Sequence, residues 1–200
     1  MILNHKSLLF PDTQITANRV FVKGKFLYSG NQKFYCKGVT YGTFKPQDNG
    51  LQFPGTETIA RDFALMARHG FNSVRTYTVP HTYLLDAALE YNLKVMVGLP
   101  WEQHITFLET KSGQRDIIQR VKEGALSCMQ HPAILCYTIG NEIPAPIVRW
   151  YGKKKVEGFL KKLFQCVKEA DPQGLVTYVI IPLLNTYTLI SLISIVLTCT

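Results

Sequence analysis

The sequence predicts an α/β fold in which helices cover a parallel sheet, and three observations lead to this prediction. From residue 56 onward, segments with apolar residues at helical spacing alternate with short, apolar, β-branched segments, which is typical of consecutive βα units. No predicted strand is followed by the Gly-rich phosphate loop of an open nucleotide-binding sheet. Polar and aromatic residues collect where the predicted strands end, as in a parallel α/β barrel. An open doubly wound sheet is the structural alternative.

Length and composition fit one globular domain. The chain has 200 residues, of which 46% are apolar, which is enough for a sizeable core and argues against disorder. The five cysteines are odd in number and show no C-x-x-C spacing, so we expect buried free thiols, no disulfides and a reducing, cytoplasmic location. They are Cys36, Cys128, Cys136, Cys166 and Cys199.

The net charge of +8 comes largely from one predicted helix. No aromatic stacking module or recognition motif accompanies these basic residues, so a solvated helix face explains them better than a nucleic-acid site. We therefore expect no nucleic-acid partner. The residues concerned are Arg149, Lys153 to Lys155, Lys161, Lys162 and Lys168.

The N-terminal part of the chain predicts a hairpin before the first core strand. Residues 1–18 carry no signal-peptide pattern and are expected to be poorly ordered. Residues 19–28 alternate around a turn at Gly24, and a second turn follows at Gly30. Such a hairpin could cap the bottom of a barrel. The first core strand is predicted over residues 34–41.

Four helix-strand units follow. We expect Thr56 to cap the first helix, Pro80 to open the second and Ser112 to start the third. The third helix has an apolar side that ends at Cys128 and Met129. A single fourth helix is predicted up to Asp171, and the intervening strands are predicted at residues 72–77, 94–99, 134–143 and 176–178.

Glu142 is the candidate general acid/base. The apolar run that begins at Ile134 stops abruptly at Gly140, Asn141 and Glu142. Catalytic groups of parallel barrels lie at the C-terminal ends of strands, where a carboxylic acid can face a substrate. The structural alternative is a loop carboxylate or a charge at a helix N-terminus.

Aromatic and hydrogen-bonding side chains follow the other predicted strands. Flat apolar rings combined with donors suit a sugar, which has apolar faces and a rim of hydroxyl groups. Each residue also has a structural reading: the tyrosines in the core, the arginine in an ion pair, and the histidine in a loop. The rings are Tyr41, Tyr77 and Trp101, and the donors are Arg75, His104 and Asn141.

Metal and cofactor motifs are absent from the sequence. The histidines are scattered and form no H-E-x-x-H or other ligand spacing, so we predict no metal and no cofactor. A serine nucleophile elbow of the G-x-S-x-G type is also missing.

Three motifs together resemble a retaining glycoside hydrolase barrel of clan A. They look like the first, second and fourth strands of the catalytic barrel of family 2, with family 5-like barrels also similar. The resemblance covers residues 19–178 and implies the N-terminal half of a TIM (β/α)8 barrel, with about four and a half βα units after a β-hairpin. The motifs are Gly38-Val39-Thr40-Tyr41-Gly42, Val74-Arg75-Thr76-Tyr77 and Ile139-Gly140-Asn141-Glu142.

This resemblance implies a double displacement on an oligosaccharide or other β-glycoside. Glu142 matches the acid/base, Asn141 the residue that binds the sugar 2-hydroxyl, and Arg75 the arginine that orients the nucleophile. The second carboxylate of a retaining enzyme lies roughly 5 to 5.5 Å from the first. The family carries it on strand seven, which this chain does not reach. We therefore expect a glycosidase by descent, inactive as this fragment. The alternatives are a barrel remnant that binds saccharide without hydrolysis, and a membrane-anchored segment of a glycan-synthesis protein.

Residues 179–200 form an apolar tail, because no charged residue follows Asp171. One explanation is a membrane anchor over residues 176–196, which is long enough to span but is interrupted by Pro182 and Asn185. The other is a reading-frame shift near Val179, which we favour because another frame can spell segments that resemble the fifth strand of the same family. A membrane partner is expected only if the tail is genuine.

Overall fold

A computed structural model describes residues 19–46 and 52–179. The expectations for residues 1–18 and for the tail beyond residue 179 lie outside the described residues and stay predictions. None of the helices in the described part of the chain has the length and hydropathy needed to cross a bilayer.

A small antiparallel sheet precedes the main one. Its strands are β1 (Val20–Lys23), β2 (Phe26–Ser29) and β3 (Gln32–Lys33), so the predicted hairpin gains a short third strand. Val20 packs against Leu135 and Cys136, which lie near the start of a strand of the main sheet. The antiparallel sheet therefore covers the N-terminal end of that strand.

The main sheet has five parallel strands whose spatial order is their order along the chain. A doubly wound sheet reverses its strand order at a switch point, whereas a barrel adds each strand beside the previous one. The order therefore confirms the predicted half of a TIM barrel. The strands are β4 (Gly38–Thr40), β5 (Ser73–Arg75), β6 (Lys94–Gly98), β7 (Ile134–Asn141) and β8 (Val176–Val179).

Within the described residues five helices lie between these strands, and all but the fourth bury apolar side chains against the sheet. The side chains of Val95, Val97 and Tyr137 are completely buried, as are Ile59 and Phe63 of the first helix. The continuous apolar strands are explained by this burial. The helices are α1 (Thr56–Arg68), α2 (Thr82–Glu90), α3 (Lys111–Cys128), α4 (Ala145–Tyr151) and α5 (Lys153–Ala170).

Two helix starts differ from the predictions. Gly55, in an extended conformation, is the N-cap of α1, and Thr56 is the first helical residue and not the cap. α2 starts at Thr82, so Pro80 lies before the helix instead of opening it. In both cases the first helical residue is set by where the backbone changes from an extended to a helical conformation. Side-chain preferences alone do not determine that position.

The third helix also starts earlier than predicted. Its N-cap is Thr110, whose Oγ1 accepts a hydrogen bond from the Gly113 amide at 3.1 Å, so Ser112 lies in the first turn. At the other end, Met129 is the C-cap and is exposed, and it does not share the buried side of the helix. The last helical residue is Cys128, so the side chain of Met129 does not follow the apolar side of the helix.

The predicted fourth helix is two helices. Gly152, with φ of 81°, separates α4 from α5, because this left-handed conformation cannot continue a helix. Arg149 therefore lies on α4, not on the same helix as the lysines.

The four described cysteines are free thiols. Cys128, Cys136 and Cys166 are buried, and burial raises the pKa of Cys136 to about 12 and that of Cys166 to about 11. Cys36 is exposed, contrary to expectation, because it lies in the segment between β3 and β4 and not within a covered strand. Cys199 lies outside the described residues.

Candidate active site

Arg75 and Asn141 meet at the C-terminal edge of the sheet. They are the last residues of β5 and β7, which are separated by β6 and therefore lie roughly 9.6 Å apart. The arginine side chain spans this gap, and its Nη2 donates a hydrogen bond to Asn141 Oδ1 at 2.5 Å. The asparagine oxygen is thus occupied by Arg75.

Gln103 holds the backbone of Asn141. Its Oε1 accepts a hydrogen bond from the Asn141 amide at 2.6 Å, and its side chain is buried in the loop after β6. At Gly140, a Cβ atom would lie 2.6 Å from the ring of Tyr178 and 3.3 Å from Gln103 Oε1. A side chain at position 140 would therefore push both neighbours away from the end of β7.

The backbone at Glu142 is held in a left-handed conformation, with φ of 56°. The Glu142 amide donates to the carbonyl of Val179 at 2.9 Å. The following amide, of Ile143, donates to the hydroxyl oxygen of Tyr178 at 2.8 Å. An unfavourable conformation of this kind persists only where neighbouring elements hold it. Here β8 supplies both bonds, so the half-buried Glu142 has a fixed backbone at the sheet edge.

Tyr178 remains protonated at neutral pH. Burial raises its pKa to about 12, and the negative charge of Glu142 adds to this, while the bond from Ile143 acts in the opposite direction. Neither Tyr178 nor Gln103 was singled out from the sequence. The available signal was position: Gln103 follows the same strand end as Trp101, and Tyr178 lies in the last predicted strand.

Tyr41, a predicted sugar platform, lies in the core. Its exposed fraction is 5%, and its ring contacts Phe44 and Phe63 edge-on. Its hydroxyl donates to Asp62 Oδ2 on α1 at 2.9 Å, and burial and this bond raise its pKa. The structural reading of Tyr41 is the one that its contacts favour.

Trp101 is also buried, with an exposed fraction of 6%. Its ring packs edge-on against Phe107 and Phe159, and Nε1 donates to the carbonyl of Ile139 at 2.9 Å. The ring therefore packs against the loop after β6 and against α5, and its polar atom is bound to β7. Trp101 supports the strand that carries Asn141 from beneath.

Tyr77 is the exposed ring at this edge. It is 40% exposed, and the guanidinium of Arg75 lies 4.8 Å from its ring centroid. His104 is exposed in the loop after β6. The structure therefore brings together Arg75, Tyr77 and Asn141, and leaves His104 on the surface.

Two cavities border this group of residues. One, of about 200 Å³, lies between the loop after β4 and the end of β5 and is lined by Phe44, Phe53 and Tyr77, among others. The other has a volume of about 330 Å³ and lies against β4 and β5, and Thr40, Ser73 and Arg75 are among the residues that line it. Tyr77 thus lines the first cavity and its neighbour Arg75 the second.

The other carboxylate that follows a strand here is Glu102. It forms an ion pair with Arg120 of α3, which directs it towards the helices. In the described ranges no group of three or more His, Cys, Asp or Glu side chains could hold a metal ion.

Comparisons with known proteins identify the family and support the fold. The family model described as glycosyl hydrolases family 2, TIM barrel domain, matches residues 20–195. The solved β-glucuronidase of Parabacteroides merdae aligns at 17% identity over 80% of this chain and 20% of its own, with a TM-score of 0.66. Saccharomyces cerevisiae Gas2p in complex with laminaripentaose aligns at 16% identity over 88% of this chain and 43% of its own, with a TM-score of 0.67.

A third structure, Bacteroides uniformis β-glucuronidase 2 covalently bound to cyclophellitol-6-carboxylate aziridine, aligns at 21% identity over 76% of this chain and 19% of its own, with a TM-score of 0.56. The chain thus spans about a fifth of the length of the β-glucuronidases. No curated protein sequence matches it significantly.

Proposed function

Because the chain belongs to the glycosyl hydrolases of family 2, as their TIM barrel domain, we propose that it carries the acid/base half of a retaining active site for β-glycosides. Glu142 is the acid/base in this proposal, and Asn141 and Arg75 are its partners in binding. Tyr77 is the exposed platform for a sugar ring. His104 contributes from the surface, while Tyr41 and Trp101 support the site from the core.

The single observation that carries the proposal is the bond between Arg75 and Asn141 beside Glu142. Since Asn141 Oδ1 accepts from Arg75, the side-chain NH₂ group remains as a donor, which suits the oxygen of a sugar hydroxyl. The neighbouring Glu142 then lies within reach of the glycosidic oxygen of the same sugar. A carboxylic acid in that position protonates the leaving oxygen and later deprotonates water.

Arg75 also has an atom suited to a nucleophilic carboxylate. Its Nε is buried and has no hydrogen-bond partner within the described residues. A guanidinium that keeps a donor can orient an incoming carboxylate. Because Glu102 faces Arg120 instead, we propose that this chain binds its substrate and does not turn it over.

Titration calorimetry with laminaripentaose and with an aryl β-glucuronide tests the proposal on the full chain. We expect binding of at least one ligand without release of the aryl group. Asn141→Ala should weaken binding by about tenfold or more, the equivalent of one lost polar contact of about 1.4 kcal/mol. Glu142→Gln should keep the affinity, since the amide has nearly the same shape.

Asn31→Ala is the matched control, because Asn31 is exposed in the turn between β2 and β3. It should leave the affinity unchanged. Turnover that Glu142→Gln abolishes would contradict the inactive fragment but support the acid/base. Absence of binding to either ligand would contradict the site.

The second candidate is a saccharide-binding domain in which Glu142 has no role, and the ion pair that holds Glu102 against Arg120 favours it. The two candidates differ at Glu142. If Glu142 contacts the glycosidic oxygen, Glu142→Ala removes that contact and should weaken binding although Glu142→Gln does not. In the second candidate only Asn141 and Arg75 are required, so Glu142→Ala should leave the affinity unchanged.

We also propose a reducing, cytoplasmic location. The four described thiols are unbridged, and the buried ones are held in the protonated form, which supports this location. Thiol titration of the unfolded protein, isolated with free thiols blocked, should find every cysteine reduced. A bridged pair would contradict the proposal.

A further inference from the structure

One segment of the chain is strongly basic. Residues 143–168 contain seven lysines and arginines and one glutamate, so this segment holds six of the eight net positive charges. In the structure it forms α4 and α5 on the outside of the sheet. These two helices therefore carry a strongly positive region of the surface.

Four of these lysines share the outer face of α5. Positions separated by three, four and seven residues lie on one side of a helix, and the opposite side, with Val156, Leu160 and Leu163, is buried. The outer face also carries Gly158 and Gln165, which are exposed and uncharged. We call this face the lysine stripe; its lysines are Lys154, Lys155, Lys161 and Lys162.

The stripe lacks acidic partners. The ion pairs that involve α5 are Lys153 with Glu157 at 3.6 Å and Lys122 of α3 with Glu169 at 3.8 Å. In the part of the chain that the structure describes, none of the stripe lysines forms an ion pair. Four uncompensated cations along a helix attract a polyanion.

An exposed aromatic ring stands at one end of the stripe. Trp150 is 74% exposed, which is the highest value among the large apolar residues of the described ranges. It precedes Lys154 by four residues, so their Cα atoms lie at most about 15 Å apart. An exposed indole offers a flat apolar surface for the face of a sugar ring.

α4, which precedes the stripe, starts at the edge of the sheet that carries Glu142. Only residues 143 and 144 separate Glu142 from α4. α5 then runs back to Asp171 near the opposite end, over about 27 Å. A linear polymer that leaves the candidate active site can therefore continue over Trp150 and along the helix.

We propose that Trp150 and the lysine stripe form a binding surface for a linear polysaccharide that carries carboxylate groups. Trp150 stacks on a sugar ring near the active-site edge, and the lysines pair with carboxylates further along. The choice of a polysaccharide rests on the proposed glycosidase function. The surface holds a chain whose end or internal bond lies at Glu142.

Other anionic partners fit this surface less well. A channel for single-stranded nucleic acid uses a succession of stacking aromatic residues, whereas Trp150 is the one exposed aromatic ring described beside the lysine stripe. A helix that lies in a membrane surface presents an apolar face, whereas that of α5 is buried in the core. Both partners are retained as outcomes of the test.

The test measures binding of polygalacturonate to the full chain at several salt concentrations, with neutral dextran as the reference. The main variant replaces the four stripe lysines with glutamine. The matched control replaces four exposed lysines on the antiparallel sheet and before β4, and so removes the same charge. These are Lys23, Lys25, Lys33 and Lys37.

The stripe variant should weaken polygalacturonate binding by at least about tenfold and flatten its salt dependence, since each paired cation steepens the dependence. The control should change the affinity less than about twofold. Trp150→Ala should weaken binding several-fold and leave the salt dependence unchanged. Equal loss in the stripe variant and the control would overturn the proposal, because net charge alone would then be responsible.

Two further ligands separate the alternatives. Tighter binding of single-stranded DNA, or of vesicles with anionic lipid, than of polygalacturonate would also overturn the proposal. The proposed active site is judged separately by Asn141→Ala and laminaripentaose. Loss of polygalacturonate binding only in the stripe variant supports the surface even if laminaripentaose does not bind, so either proposal can fail alone.

Discussion

Two arginines at opposite ends of the sheet differ in what surrounds them. Arg19, before β1, donates to both oxygens of Asp171 at 2.9 and 2.8 Å and is 7% exposed. Asp171 also accepts bonds from the Tyr137 hydroxyl and the Gly174 amide. This group, the lower cluster, has its charges paired and its carboxylate oxygens occupied within the protein.

Arg75 is held differently. It donates one bond to a neutral amide, lies over an exposed ring, and keeps Nε without a partner in the described ranges. We call Arg75, Asn141 and Glu142 the upper cluster. A polar network that is closed on itself contributes stability, and one that keeps open donors is available to a ligand. The lower cluster therefore stabilises the fold, and the difference supports the proposal that the upper cluster binds a ligand.

The largest expected effect separates the two arginines. Arg19→Met leaves the buried Asp171 charge unpaired, so we expect a loss of about 3–5 kcal/mol in the free energy of unfolding. Arg75→Met should cost less than about 1.5 kcal/mol, because Asn141 is neutral, but should abolish saccharide binding. Urea denaturation and calorimetry measure both effects. Equal stability losses would break the comparison.

Two tyrosine substitutions, each of which removes one hydroxyl group, test the comparison between the lower and the upper cluster. Tyr137→Phe removes a bond to a charged group and should cost about 1.5–3 kcal/mol. Tyr178→Phe removes the acceptor of the Ile143 amide and should cost about 0.5–1.5 kcal/mol. Amide hydrogen exchange should show faster exchange at Ile143 in the second variant only. A larger loss for Tyr178 than for Tyr137 would contradict the assignment.

A glycine tests the packing that supports the upper cluster. A Cβ at Gly98 would lie 2.5 Å from the Tyr77 carbonyl oxygen, so Gly98→Ala must shift backbone and should cost about 1–3 kcal/mol. Gly158→Ala is the control, because a Cβ there meets nothing within 4 Å on an exposed helix face. It should stabilise the protein by up to about 1 kcal/mol. Thermal unfolding measures both, and similar shifts in Tm would rule out the close approach.

The smallest expected effect is a pH dependence in the lower cluster. Burial alone would raise the pKa of Asp171, but the bonds and charge of Arg19 outweigh it and lower the pKa. A lowered folded pKa gives stability that is present above the ordinary value of about 3.9 and lost as the pH falls through the folded pKa. The difference in unfolding free energy between the parent and Asp171→Asn should therefore shrink below pH 4. A constant difference would argue against the ionised pair.

Much of the fold and part of the site could be read from the residues in order. The apolar, β-branched strands and the three motifs identified the barrel, and Asn141 and Glu142 were located from the abrupt end of a buried run. Helix starts such as that of α3 were wrong by one or two residues, because several capping residues stand close together and only the backbone path selects among them. Gly152 was missed because one glycine does not show whether its φ is positive.

Whether each candidate binding residue is buried or exposed could not be predicted from the sequence pattern. Tyr41 and Trp101 are rings after strand ends, as is Tyr77, yet the first two are buried and the third is exposed. The sequence places all three at one edge but does not state on which side of the sheet each ring lies. Gln103 and Tyr178 carried no motif, and their part in holding β7 depends on contacts across β6 and β8.

The amino-acid sequence by itself determined the alternation of helices and strands and the carboxylate at the end of β7, because hydrophobic period and strand ends are local properties. Only the tertiary structure decided that Arg75 reaches Asn141, that Arg19 pairs with Asp171, and that the stripe lysines form no ion pair with the described residues. These contacts join residues up to 152 positions apart. Their geometry depends on the packing of whole strands and helices, which no local pattern records.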